Sequence, residues 1–338
     1  MKINYLPVII LILTSCTIRS QSNNNNSYCH IYPPSITNAS LDLNEYQLKG
    51  EVKSIKELSH YSGEDESLNY MEFNEKGYLT LDIIDGPYES KNGGFTIAKD
   101  VKLKSDGIIS RYIYEFENGR IKSLTSYDTI FEIKSKRKMV IGNIDTKKHA
   151  YTYNENGTLA NYKKYMHSTD TTIANKKEPY EVFTIFYENN KILKAVLQES
   201  YWSRKASSTI KTKTIEYKYD GAKTILKEST EGGNIYTYLH CKLEETVLKS
   251  KYETTVFKYE PSGILKSQNI TYYDGETKNT SWSFDDKNNP IERVSELGPK
   301  IKFSYTFDQQ GNWISKKVIS SITGEAVEEY NRTIEYYN

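Results

Sequence analysis

The feature that most limits how this chain can fold is a turn that recurs directly after alternating segments. Ile301–Phe307 alternates apolar and aromatic residues with Lys, Ser and Thr, which is the period-two pattern of a strand with one buried face. Asp308–Gly311 follows at once. Asp or Asn at the first position and Gly at the fourth are typical of a type I turn that reverses the chain into the next strand. The two features together predict a β-hairpin.

The same device recurs along the chain, and a tighter turn alternates with it. Four-residue turns are predicted at Asn74–Gly77, Asn154–Gly157, Glu260–Gly263 and Asp285–Asn288, where Asn replaces Gly. Two-residue type I′ turns are predicted at Asp106-Gly107, Asn118-Gly119, Asn189-Asn190, Asp220-Gly221 and Asp274-Gly275. We therefore predict an all-β fold, a long twisted antiparallel meander of consecutive hairpins. The irregular spacing of the turns disfavours a propeller with equal blades.

Glycines are expected to hold these turns through positive φ angles, which glycine adopts without the penalty that a Cβ brings. The glycines concerned are Gly77, Gly119, Gly157, Gly221, Gly263 and Gly311. Replacement of Gly77, Gly157, Gly263 or Gly311 by Val should destabilise the fold by more than about 1 kcal/mol.

Tyrosine is unusually frequent, with 30 Tyr against 10 Phe. Tyrosine suits a sheet face that is partly wet, because the ring packs while the hydroxyl reaches water or a polar partner. With Trp202, Trp282 and Trp313, such a face could stack on sugars or dock a protein. The alternative is that the rings form cross-strand ladders that only stabilise the sheet, by up to about 1 kcal/mol per pair.

The N-terminal residues have the pattern of an export signal. Lys2 precedes an apolar run, Leu6–Leu13, that is too short to span a bilayer. Leu13-Thr14-Ser15-Cys16 then resembles the bacterial lipobox, which implies lipid attachment at Cys16; an ordinary cleaved signal is the alternative. We divide the chain into a signal peptide (1–15), a lipidated flexible tether (16–40) and a single repetitive all-β domain (41–338).

This assignment implies a protein of the cell envelope with the lipid bilayer as a partner. Residues 17–21 contain no acid, which favours the periplasmic side of an outer membrane over the cell surface. The chain has 45 basic residues, one of them Lys2, and 44 acidic residues. A neutral body has no net field that would attract nucleic acid, so none is expected as a partner.

Two cysteines remain after Cys16. Cys29 and Cys241 could form a disulfide in an oxidising compartment, or they could be free thiols. Each has a histidine beside it, His30 and His240, but adjacent ligands do not match the spacing of zinc sites. We predict neither a metal nor a cofactor.

Several hairpins share a longer pattern. Tyr151-x-Tyr153-Asn154-x-x-Gly157-x-Leu159, Phe257-x-Tyr259-Glu260-x-x-Gly263-x-Leu265 and Tyr305-x-Phe307-Asp308-x-x-Gly311-x-Trp313 resemble the YD repeat of Rhs-type proteins. The C-terminal segment looks like the close of YD-repeat-like bacterial lipoproteins of unassigned function. The resemblance implies a sheet of consecutive hairpins. The chain is too short to enclose a toxin as true Rhs proteins do, so that role is not carried over.

The sequence contains no nucleotide-binding, hydrolase or metalloprotease motif. We therefore predict a non-catalytic binding or scaffold module that acts through an aromatic sheet surface, with a protein or a glycan as its ligand. The alternatives are an immunity protein that neutralises a periplasmic toxin and, less favoured, a glycan-acting enzyme. The shape of the sheet decides between them. An enzyme is favoured if two or more of His60, His149, His167 and His240 point into one cavity with carboxylates.

Overall fold

A computed structural model describes residues 30–33, 46–61, 65–84, 88–89, 95–96, 107–134, 138–169, 178–203, 206–229 and 233–337. The regular structure within these ranges is entirely β. The strands are β1 (Val52–Tyr61), β2 (Asp65–Phe73), β3 (Leu79–Ile84), β4 (Tyr88–Glu89), β5 (Phe95–Thr96), β6 (Gly107–Glu117), β7 (Arg120–Lys134), β8 (Lys138–Tyr153), β9 (Leu159–Ser168), β10 (Glu181–Glu188), β11 (Lys191–Ser203), β12 (Ala206–Asp220), β13 (Lys223–Glu228), β14 (Ile235–Leu239), β15 (Lys242–Lys249), β16 (Glu253–Tyr259), β17 (Leu265–Tyr272), β18 (Thr277–Phe284), β19 (Pro290–Ser295), β20 (Ile301–Phe307), β21 (Trp313–Ser320) and β22 (Ala326–Tyr336).

All strands except β4 and β5 belong to one antiparallel sheet of 20 strands. Each strand pairs with the strands before and after it in that sheet, which confirms the predicted meander of hairpins. The last strand, β22, pairs with the first, β1, with Ile334 opposite Ile55. The sheet therefore closes into a barrel and does not have the long twisted shape that was predicted for the meander. Closure pairs the backbone groups that β1 and β22 would otherwise expose as edges.

Because consecutive strands are antiparallel, alternate connections lie at opposite ends of the barrel. One end carries tight turns and is called the short-turn rim; the opposite end is called the loop rim. The turns of the short-turn rim lie at residues 74–77, 118–119, 154–157, 189–190, 221–222, 240–241, 260–263, 285–288 and 308–311.

The first residue of a four-residue turn holds it in two ways. At Asp285 the backbone carbonyl accepts a hydrogen bond from the Asn288 amide (3.1 Å). The Oδ1 atom of Asp285 also accepts hydrogen bonds from the amides of Lys287 (2.9 Å) and Asn289 (2.8 Å). The turn leaves its fourth residue in the left-handed region, where Asn288 has φ 65°. The six glycines named above all have positive φ.

Some turns differ from the sequence-based expectation. The turn after β12 is centred on Gly221 and Ala222 rather than on Asp220 and Gly221, and a positive φ at its first central residue is the type II′ geometry. Gly107 begins β6, and Asp106 lies outside the described residues. The turn between β14 and β15 was not predicted. It is formed by His240 and Cys241 with φ angles of 47° and 69°, which these residue types seldom adopt.

Alternation along the strands separates the two faces of the barrel wall. On β20, Phe303 and Tyr305 are partly buried, while Lys302, Ser304 and Thr306 between them are exposed. The aromatic face is therefore the interior. Towards the short-turn rim, the interior is closely packed, and we call this region the tyrosine layer. It includes Leu159, Tyr162, Phe183, Ile192, Tyr217, Leu226, Tyr236, Tyr238 and Tyr259 in one cluster and Val52, Ile55, Met71, Phe73 and Leu79 in a second.

A short N-terminal segment packs into the tyrosine layer. Residues 30–33 fall within the predicted tether, yet Tyr32 is only 7% exposed. The Tyr32 hydroxyl accepts a hydrogen bond from the Leu159 amide (3.1 Å), and His30 Nε2 lies 2.8 Å from the Asn190 carbonyl oxygen. The segment therefore joins the barrel at the short-turn rim.

Candidate functional site

The interior between the tyrosine layer and the loop rim is lined with charged side chains. Three ion pairs cross adjacent strands there. They are Asp128–Lys147 (Oδ2 to Nζ, 2.7 Å), Lys164–Glu181 (Nζ to Oε1, 3.6 Å) and Glu199–Lys213 (Oε2 to Nζ, 3.0 Å). Lys164 lies opposite Glu181 and Glu181 opposite Glu199, so the pairs form a continuous row from β7 to β12. We call this row the ionic band.

The charges of the ionic band remain partly hydrated. Exposed fractions of its side chains run from 12% for Asp128 to 37% for Lys147. The neighbouring tyrosine layer is much drier, since Phe183 and Leu226 are 0% exposed. Fully buried ions would lose several kcal/mol of hydration each, so partial exposure is what makes such a row of charges tolerable. Towards the loop rim, the interior therefore offers polar groups that a ligand could contact. Towards the short-turn rim, the tyrosine layer fills the interior.

His149 lies at the boundary between the two regions. Its Nδ1 atom is 2.7 Å from the Tyr162 hydroxyl, and Lys164 lies directly opposite it on β9. Burial, with smaller contributions from Lys164 and Lys147, lowers the pKa of His149 to about 4. The imidazole is therefore neutral at pH 7 and can exchange a hydrogen bond with Tyr162, but it supplies no positive charge.

Asp82 on β3 also has an altered pKa. Burial, and to a lesser extent the negative charge of Asp128, raises the pKa of the Asp82 carboxyl to about 6. These two acids do not form a metal site: in the part of the chain that the structure describes, no group of three or more His, Cys, Asp or Glu side chains could hold a metal ion.

The opposite part of the interior, on β1 and β19–β22, carries a second set of charges. Arg332 forms an ion pair with Glu57 (Nε to Oε2, 2.6 Å) and lies 3.3 Å from the centre of the Trp313 ring. Lys316 lies directly opposite Tyr330 on β22, and its ammonium is 4.7 Å from the centre of that ring. Sequence reasoning singled out none of these charged residues. The alternation Glu328-x-Tyr330-x-Arg332 was the available signal, because it places all three on one face.

The structure does not bring the predicted histidines together. His149 points into the interior. His60 and His167 alternate with the interior residues Ser59 and Ser168 and therefore lie on the outer face. His240 lies in a turn of the short-turn rim. This arrangement does not meet the condition set for an enzyme.

The other predicted site residues are placed as follows. Cys241 is disulfide-bonded. Cys16 and Cys29 lie outside the described residues, so lipid attachment and the pairing of Cys29 with Cys241 remain predictions. Trp282 and Trp313 lie on strands whose aromatic face is the interior, and the side chain of Trp202 lies outside the described part of the structure. For these two residues, the aromatic surface therefore faces the interior of the barrel.

No helix of the described residues is long and apolar enough to cross a membrane. No protein-family model matches the chain, and no curated protein does. Among solved structures, it is similar to a porin-like protein from Bacteroides uniformis ATCC 8492, with 11% identity and a TM-score of 0.32 over 85% of this chain and 98% of the other. A porin-like protein from Bacteroides vulgatus ATCC 8482 gives 10% identity and a TM-score of 0.28 over the same shares.

The predicted membership of the YD-repeat lipoproteins is wrong. The sheet closes on itself into a 20-stranded barrel, because β22 pairs with β1. Consecutive aromatic hairpins are common to an open repeat and to a closed barrel, so the local pattern could not distinguish them. Likenesses this weak carry no argument about membrane insertion or activity. The geometry of the chain itself shows a closed antiparallel barrel with a charged interior.

Proposed function

We propose that this protein is a lipid-anchored envelope protein whose barrel stands in water beside the membrane and binds a ligand in its interior without catalysing a reaction. The observation that carries the proposal is the polarity of the two faces. Charged side chains line a partly hydrated interior, and the outer face of β18, β20 and the C-terminal half of β22 is polar as well.

The polar outer face is clearest on β18, on β20 and on the C-terminal half of β22. The exposed positions of β18 are Thr277, Asn279, Ser281 and Ser283, and those of β20 are Lys302, Ser304 and Thr306. On the C-terminal half of β22 they are Asn331, Thr333 and Glu335. Transmembrane barrels instead carry an apolar outer band about 25 Å high. These three strands provide no such band.

The energetic consequence is large. A lysine on the lipid-facing side of a barrel costs about 2–4 kcal/mol at the bilayer midplane. Lys302 lies on the outer face of β20, and Lys317, which is 51% exposed, lies near it on the outer face of β21. Where an apolar ring lies on the outer face, as at Phe186, the ammonium of Lys194 covers it at 5.0 Å from the ring centre. Insertion of this wall into lipid would therefore be strongly unfavourable.

The N-terminal segment provides the link to the membrane. Lipid attachment at Cys16 would leave a short tether before His30, which contacts the short-turn rim at Asn190. Such an anchor holds the short-turn rim towards the bilayer and leaves the loop rim directed away from it. A ligand then reaches the ionic band from the loop rim.

The proposal is tested by separating the anchor from the barrel. We expect Cys16→Ala to be exported, to fold with an unchanged melting temperature and to appear in the soluble fraction. The wild-type protein should stay with membranes and should carry acyl groups at Cys16 by mass spectrometry. Mass spectrometry shows whether residues 1–15 have been removed from the variant. If a variant without residues 1–15 remains in membranes after extraction with sodium carbonate, the barrel itself is embedded and the proposal is wrong.

A further inference from the structure

The interior of the barrel contains a carboxylate, that of Asp82, with which no cation is paired. Asp82 lies on β3, directly opposite Met71 on β2 and Ser110 on β6. Met71 belongs to the second cluster of the tyrosine layer, so the side chain of Asp82 faces the interior. Within the ranges that the structure describes, Asp82 takes part in no hydrogen bond and no ion pair.

The charges around Asp82 do not compensate it. Ser110 lies directly opposite both Asp82 and Asp128, so the two acids lie in one row, two strands apart. Lys147 already holds Asp128 at 2.7 Å. Burial raises the pKa of Tyr112, whose hydroxyl is therefore neutral at pH 7. With its pKa of about 6, the Asp82 carboxyl is mostly ionised at that pH. A charge that is partly removed from water and has no partner is costly, so an added cation would be favourable there.

An apolar surface lies beside Asp82, on the side of the loop rim. Ile84 follows Asp82 by two residues on β3 and lies directly opposite Ile108 on β6, which in turn lies opposite Ile130 on β7. We call these three residues the isoleucine row. Side chains two residues apart on a strand share a face, about 7 Å from each other, and directly opposite residues are about 5 Å apart. Ile84 is 45% exposed and Ile108 37% exposed, so the row is open to the interior of the barrel.

Other acids of the interior lack this combination. Those of the ionic band, Asp128, Glu181 and Glu199, each have a lysine partner. Asp145 faces the interior directly opposite Asp128, but it accepts a hydrogen bond from the Ser168 hydroxyl. Asp82 therefore differs from these acids in having a free carboxylate next to an accessible apolar surface.

We propose that Asp82 and the isoleucine row form a binding site for an aliphatic amine. The ammonium group lies at the Asp82 carboxylate, and the aliphatic chain lies on the isoleucine row and points towards the loop rim. This inference rests on the proposed interior binding function and names the class of ligand. Hydrogen bonds between an ammonium and a carboxylate are charge-assisted and stronger than neutral ones. Removal of the methylene groups from water adds to the affinity.

The test measures binding by titration calorimetry at pH 7 on the purified full-length protein in detergent, with the heats of titration into detergent alone subtracted. The probe is n-hexylamine. Methylamine lacks the chain, 1-hexanol lacks the charge, and hexanoate carries the opposite charge. We expect hexylamine to bind at least tenfold more tightly than each of these three controls.

Matched variants locate the site. Asp82→Asn should weaken binding of hexylamine at least tenfold, whereas Asp145→Asn, which removes an interior carboxylate that already has a partner, should change it less than twofold. Ile84→Ser should weaken binding of hexylamine more than that of methylamine. Because Asp82 has no partner to lose, Asp82→Asn should melt no lower than the wild type, which separates lost binding from lost folding.

Two results would overturn the amine site. One is hexylamine binding no tighter than that of 1-hexanol, and the other is an equal loss of hexylamine binding in Asp82→Asn and Asp145→Asn. Binding of 1-hexanol or hexanoate in preference to hexylamine, unchanged by Asp82→Asn, would also overturn it but would leave the proposed binding function standing. Failure of the proposed function itself is read separately, from the carbonate extraction of the Cys16→Ala variant.

Discussion

The ion pair between Glu57 and Arg332 offers a sharp test of how the barrel is held closed. It joins the first strand to the last, and its two side chains are 12% and 16% exposed. Removing one partner of a buried pair costs about 3–5 kcal/mol, because the other charge is left without compensation. Residual exposure places this pair near the lower end, so Glu57→Leu should lower the free energy of unfolding by about 3 kcal/mol.

The double variant should behave differently. Burial outweighs the attraction of Glu57 and lowers the pKa of Arg332, so for Arg332 the loss of hydration exceeds the attraction that Glu57 returns. Glu57→Leu combined with Arg332→Met should therefore lose less stability than Glu57→Leu alone. The expected coupling free energy in the double-mutant cycle is about 2 kcal/mol.

Glu117 and Lys122 provide the matched control. Their ion pair is also short, at 2.9 Å, but the side chains are 61% and 54% exposed. Screening by water and salt should leave no measurable coupling there. Urea denaturation followed by tryptophan fluorescence measures both cycles. Equal coupling in the two cycles, or a Glu57→Leu variant as stable as the wild type, would refute the argument from burial.

Three further outcomes are expected. Because burial lowers the pKa of His149 to about 4 from an ordinary 6.5, the unfolded chain takes up the proton first as the pH falls. The stability linked to neutral His149 is complete above about pH 6.5 and is lost towards pH 4, and urea denaturation of His149→Asn should show a smaller loss over that window. Gly119→Ala should cost about 1 kcal/mol by thermal denaturation, because φ is 73° while nothing lies within 4 Å of the added Cβ; Gly298→Ala, equally open but without such a φ, should be neutral. Peptide mapping without reduction should recover Cys29 joined to Cys241, and a Cys241 peptide linked to any other residue would contradict this pairing.

Local chemistry accounts for the part of the fold that the sequence predicted. The four-residue turns depend on Asp or Asn accepting nearby amides, as Asp285 does, so residues close in sequence were sufficient to locate them. Closure of the barrel depends on the pairing of β1 with β22, in which Ile55 lies opposite Ile334. A local sequence pattern does not indicate which distant strands pair. The tight turn at His240 and Cys241 was missed because neither residue type signals positive φ.

The candidate site was less predictable than the fold for the same reason. Asp128, Lys164 and Glu199 read as ordinary strand residues, and only the pairing and facing of their strands show that they line one interior. The abundance of tyrosine predicted a partly hydrated aromatic face of the sheet. It did not predict that this face would line the interior of the barrel. A role in toxin immunity stays a prediction, since the geometry described above does not bear on it.

The seam between β1 and β22 sets the order in which the barrel can be completed. At the short-turn rim, buried Asn312 donates to the Lys49 carbonyl oxygen (2.8 Å) and lies 2.7 Å from the Tyr336 hydroxyl, which in turn donates to Asp308. Each hairpin forms from residues that are close in sequence, so it can form as soon as its two strands have been synthesised. The contact between Arg332 and Glu57 instead joins residues that are 275 positions apart in the sequence. Until the last strand arrives, β1 is an unpaired edge that can recruit other strands. The interval before ring closure is therefore the time at which this chain is most open to aggregation and proteolysis.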